Sequence, residues 1–83
     1  MSIRRPLVAA NWKMHGSRAA LAAWWQDFAP AAVEAVEVVW CPPLPYLHEA
    51  IQLAGGRVGV GAQNLAEADA GAYTGEVSGA MLA

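Results

Sequence analysis

The sequence holds a single cysteine, Cys41, so no intrachain disulfide framework can form. It also lacks a long hydrophobic run. The first apolar stretch, Leu7 to Ala10, ends at polar Asn11 and charged Lys13. That is too short for the apolar core of a signal peptide. No stretch reaches the ~18 apolar residues of a membrane span. There is no basic excess either, since five Lys and Arg face seven Asp and Glu. This balance gives no footing for nucleic-acid or anionic-membrane binding. Gly55-Gly56 is not followed by the lysine and hydroxyl of a phosphate-cradling loop. No linker divides the chain. The lone cysteine fits a reducing compartment, and a cytoplasmic location is expected.

What the sequence does have is apolar surface. The apolar fraction is 57%, above the roughly 45–50% of ordinary globular domains. A chain of 83 residues buries only part of its surface by itself. The excess is therefore expected to meet other protein, either further chain or a second copy.

The order of elements follows from pattern. Leu7 to Ala10 reads as a strand buried on both faces, as parallel strands are. Asn11 to Gly16 is a loop at its C-terminal end, and Ser17 stands where a helix N-cap belongs. Leu21, Trp24, Trp25 and Phe28 then share one helical stripe, closed off near Pro30. Val36 to Cys41 is a second strand. The prolines at 42, 43 and 45 suit a helix start, Leu44, Leu47, His48 and Ile51 form its stripe, and Gly55-Gly56 stops it. Arg57 to Gln63 is a third strand whose small residues mark a close approach. Asn64 to Gly75 has no period and reads as a long loop, a length usually kept for function. A third helix begins from Glu76. The sum is an α/β protein, β-α-β-α-β-loop-(α), with a parallel sheet and right-handed crossovers.

Literal words in the sequence go further. Ala9-Ala10-Asn11-Trp12-Lys13-Met14 resembles the N-terminal active-site segment of the triosephosphate isomerases. Cys41-Pro42-Pro43 with Tyr46-Leu47 resembles that family's second strand and helix start. Gly61-Ala62-Gln63-Asn64 resembles the end of its third strand. Gly71 to Ser78, then Met81-Leu82, resembles its third loop. Four words in the family's order and spacing make a specific set.

The resemblance implies the N-terminal βα units of a TIM (β/α)8 barrel, residues 1–83 forming one partial domain. Such barrels carry their chemistry at the C-terminal ends of the strands. The implied reaction interconverts dihydroxyacetone phosphate and glyceraldehyde 3-phosphate through an enediolate, with no cofactor or metal. Lys13 would supply a fixed ammonium for the phosphate and the developing oxygen charge. By spacing alone Lys13 is an ordinary solvated lysine, and the surrounding word reverses that reading. Asn11 would hydrogen-bond substrate or its neighbours, alongside a plain role as strand terminator.

The resemblance also implies a twofold interface. Thr74 would sit at the loop tip near the partner's first loop, with Met14 and His15 lining the receiving pocket. Gln63, Asn64, Tyr73 and Glu76 would support that contact, although the bland alternative is a mobile surface loop. His15 and His48 are rejected as acid–base groups, since neither matches the family's catalytic histidine. Trp12 is expected to pack, Cys41 to be a small buried residue and Glu49 a solvated one. This family is itself the standard worked case of a glutamate base, a neutral histidine and a water-excluding lid. None of those three can be assigned to a residue of this sequence. The 83 residues are accordingly expected to be inactive alone and to self-associate. The alternative is an autonomous phosphate-binding or structural module.

Overall fold

The computed structural model describes residues 4–32 and 34–83. Strand β1 (Leu7–Asn11) leads to helix α1 (Arg18–Phe28), and strand β2 (Glu37–Cys41) to helix α2 (Leu47–Ala54). A short strand β3 (Gly59–Val60) and helix α3 (Gly79–Leu82) follow. The three strands are parallel in the order β1-β2-β3, with Leu7 beside Glu37, Asn11 beside Cys41 and Trp40 beside Val60. The expected α/β architecture is therefore present.

Local chemistry sets the element ends. The Ser17 hydroxyl accepts from the Ala20 amide at 3.1 Å, a cap that contributes about 1 kcal/mol. Pro30 lies in a 3₁₀ turn, Ala29–Ala31, that closes α1. Arg57 fastens the same end. Its Nη2 donates to the Ala29 carbonyl at 2.7 Å, and its guanidinium lies 5.7 Å from the Trp25 ring centre. Gly55, at φ +56°, ends α2 with its N–H on the Ile51 carbonyl. The Ser78 hydroxyl caps α3.

The core lies on the helix side of the sheet. Leu21, Trp40 and Ala50 are fully buried there, packed by Trp12, Trp24, Trp25, Tyr46, Val58 and Val60. Trp40 sits at the centre, with ring centres of Trp24, Trp12 and Trp25 at 4.5, 5.7 and 6.1 Å. The pleat sends Leu7, Ala9, Asn11, Val39 and Cys41 to the other face. Among the described residues no element packs over that face.

Four expectations need correction. Strand β1 is not buried on both faces, because Leu7 and Val8 are 58% and 54% exposed. It lies at a sheet edge, and helices cover one face only. The α2 stripe is displaced: Ala50 and Ala54 are buried while Ile51 and Leu44 are about half exposed. Small residues let the helix approach the sheet closely. The third strand pairs only over Gly59–Val60 rather than from 57 to 63. Glu49 is not simply solvated, since it forms an ion pair with Arg18 that joins α2 to α1.

The result is a thin slab, 42 × 40 × 19 Å. Its radius of gyration, 14.3 Å, exceeds the ~12 Å of a compact chain this long.

Candidate functional site

The site is built where the three strands end. Asn11 is the last residue of β1, and the next N–H, from Trp12, donates to the Cys41 carbonyl at 3.1 Å. The chain then turns sharply. The Asn11 Oδ1 accepts from the Lys13 amide at 2.9 Å, a side chain standing in for backbone two residues on. Lys13 adopts φ +56°, the only positive φ outside glycine among the described residues. A non-glycine residue there costs on the order of 1–2 kcal/mol.

A second side chain offsets that cost. Gln63 Nε2 donates to the Lys13 carbonyl at 2.9 Å and to the Cys41 carbonyl at 3.0 Å. One amide thus ties together the ends of β1, β2 and β3. Each such bond contributes about 0.5–1.5 kcal/mol net. Delivery of Gln63 depends on Gly61, whose N–H closes onto the Trp40 carbonyl at 2.9 Å. A Cβ at Gly61 would stand 3.3 Å from Val39 Cγ1 and 3.5 Å from Cys41 Sγ. A methyl there would crowd Val39, whose side chain would have to shift by a few tenths of an ångström.

The floor of the turn is aromatic. Trp12 packs edge-on to Trp24, and its ring lies 3.1 Å from where a Cβ on Gly16 would be. Trp12 therefore packs, as expected. Lys13 and His15 are exposed, and Met14 is 94% exposed. The turn presents the Lys13 side chain to solvent from a backbone held by the Asn11 side chain.

The other expected residues fall elsewhere. Asn64, Tyr73, Thr74 and Glu76 are all exposed. The loop holding them is closed at its base, where the Ala66 N–H meets the Val77 carbonyl at 2.6 Å. Within it the Tyr73 ring covers Gly71, and the Glu76 amide donates to the Tyr73 carbonyl. Among the described residues none of the four hydrogen-bonds to Asn11 or Lys13. Of the residues expected at the interface, only Gln63 joins the Asn11–Lys13 turn. His48 is exposed on α2, and Cys41 is half-buried.

A hollow of about 650 Å³ lies at the opposite, N-terminal end of the strands. Arg5, Glu34, Glu37 and Arg57 line it, charges of both signs, and Arg57 is already engaged with Ala29 and Trp25. In parallel βα proteins chemistry gathers at the strand C-termini, so the smaller turn carries the functional argument. Among the described residues no three metal-ligating side chains cluster, and no helix is long and apolar enough to cross a membrane.

Neither the left-handed Lys13 backbone nor the Gln63 clamp is evident from the sequence pattern. Asn11 two residues before Lys13 is the one local signal for the first. Nothing local points to the second.

A parallel βα sheet with its polar turn at the strand C-termini defines an α/β protein, consistent with the start of a βα barrel. Comparison with known sequences gives the family. The profile of triosephosphate isomerase matches residues 6–83. A triosephosphate isomerase of Chromohalobacter salexigens is 57% identical over 82 residues, covering 96% of this chain and 33% of its own length. One of Symbiobacterium thermophilum is 51% identical over 83 residues, 96% of this chain and 32% of its own. One of a Shewanella species, strain ANA-3, is 48% identical over 91 residues, 99% and 35%. This chain belongs to the triosephosphate isomerase family and corresponds to its N-terminal segment. It spans about a third of the length of the relatives it matches.

Proposed function

We propose that these residues supply one corner of a triose-phosphate isomerase site whose other parts correspond to segments of the relatives outside the matched third. The substrate would be a three-carbon sugar phosphate whose proton moves between adjacent carbons. The Lys13 ammonium would hold the phosphate and stabilise the oxygen that gains charge as the enediolate forms. Asn11 would donate its amide N–H to substrate while its Oδ1 keeps the Lys13 turn. The observation that carries this reading is the Lys13 backbone, held left-handed by hydrogen bonds on both sides. Strain maintained in that way is characteristic of functional positions.

The loop carrying Tyr73, Thr74 and Glu76 would serve as a contact to a second copy. Met14, His15 and Asn64 would complete that contact. The lone cysteine supports a cytoplasmic setting.

Alone, the 83 residues should show no isomerase turnover. A general base contributes about 10²–10⁴-fold, and no residue here matches the family's base. In an assay of purified chain, rates should equal those of Lys13→Ala. Turnover well above that control would contradict the reading. Phosphate binding without turnover anywhere in the family context would favour the autonomous module instead.

The chain should also self-associate. Its accessible surface, 6238 Å², exceeds the ~4,700 Å² of a compact monomer of this mass. Large apolar residues stand exposed on it, among them Leu7, Val8, Leu65 and Met81. Sedimentation at high concentration should find species heavier than 8.7 kDa. A clean monomer would count against it.

A further inference from the structure

We infer that Gln63 is the positioning residue for Lys13: its two amide N–H groups fix the left-handed backbone from which the lysine is presented. The inference rests on the proposed reading of Lys13 as the phosphate-holding group, and it assigns the control of that group to a residue fifty positions away.

The argument starts with hydrogen-bond supply. A primary amide has two donors, and here one nitrogen meets two carbonyl oxygens, those of Lys13 and Cys41. No other side chain of the twenty offers two donors on a short neutral head without adding charge beside the Lys13 ammonium, except asparagine, which is one methylene shorter. The Cys41 carbonyl is already anchored, because it also accepts from the Trp12 amide. Gln63 therefore transfers a fixed point on β2 to the carbonyl of Lys13. Asn11 sets the N–H side of the same residue. With both sides held, the peptide planes flanking Lys13 have one orientation, and the side chain leaves from one place.

Beyond these hydrogen bonds and the Trp12 ring, nothing among the described residues packs on the turn. Met14, His15 and Gly16 are exposed, and the turn has no buried apolar residue except the half-buried Trp12 ring. Removing the Gln63 donors lets Lys13 relax to negative φ, where a lysine is more stable. The ammonium then moves even though the charge is unchanged.

Two variants test this on the whole 83-residue chain, Gln63→Glu and Gln63→Met. The first keeps shape and reverses donors to acceptors. The second keeps bulk and has no donor. In isotopically labelled chain, a positive φ gives Lys13 an unusually strong contact between its own amide and α protons. Both variants should lose that signal severalfold, while the amides of Ala50 and Ala54 in α2 keep their shifts. Sulfate, a tetrahedral dianion that does not titrate near neutrality, should bind the native chain at Lys13 and each variant at least about fivefold more weakly, as the loss of two hydrogen bonds implies.

If Gln63→Met retains the Lys13 signal, packing rather than donation holds the turn and the inference is overturned. If Gln63→Glu disturbs the α2 amides as well, Gln63→Met alone decides. If both variants lose the signal but sulfate never perturbs Lys13 in the native chain, the clamp stands and the phosphate reading of Lys13 fails.

Discussion

Replacing Trp40 by alanine should abolish cooperative folding. The side chain is fully buried at the centre of an aromatic group formed with Trp12, Trp24 and Trp25. Truncating a buried tryptophan costs about 3–5 kcal/mol. At roughly 0.05–0.15 kcal/mol per residue, a chain this long has only about 4–12 kcal/mol in all. The uncovered sheet face places it towards the lower end. Near-ultraviolet circular dichroism of Trp40→Ala should be flat and its thermal transition absent.

Trp40→Phe should behave differently. The Trp40 indole N–H is buried and finds no hydrogen-bond partner among the described residues. A buried donor without an acceptor costs about 1–3 kcal/mol. Phenylalanine removes that donor while keeping most of the ring contacts, so its smaller volume is partly offset. The phenylalanine variant should keep a cooperative transition within a few degrees of the native one. Equal loss from both substitutions would show that the ring's volume, not its polarity, decides stability.

Much of this fold is written locally. Ser17 is a short polar residue ahead of an apolar stripe, and it caps α1. Gly55 supplies the left-handed residue that α2 needs to stop. Alternation of strand and helix then leaves parallel pairing as the economical topology. The face of α2 was less legible. Periodicity favoured Ile51 because it is large and apolar, but close helix–sheet approach selects Ala50 and Ala54. Large residues at 44 and 51 are left outward, on a surface no described element covers.

The site divides along the same line. The A-N-W-K-M word placed Asn11 and Lys13 at the end of β1, where the structure has them. The left-handed backbone of Lys13 has no marker in its own side chain, because lysine has no preference for that region. The Gln63 clamp is non-local: it needs β3 to end beside Cys41, where Gly61 leaves close room beside Val39. Sequence spacing between 13 and 63 carries no such information.

The second large effect concerns recovery of chemistry. Charge stabilisation by one positioned group is typically worth about 10²–10³ in kcat. If Lys13 is such a group, its loss should be felt wherever the rest of the site is present. Mixing the native chain with the C-terminal two thirds of the Chromohalobacter salexigens relative supplies the missing segments. Trp12, Trp24 and Trp40 lie away from the open face, so docking there leaves the core intact.

The decisive measurement is isomerase turnover in that mixture, native chain against Lys13→Ala, with complex formation followed by sedimentation in both. Turnover restored by the native chain, and at least about a hundredfold lower with alanine in an equally well-formed complex, is the expected result. Equal rates from the two chains would mean that the cation at the end of the first strand does not act on the substrate.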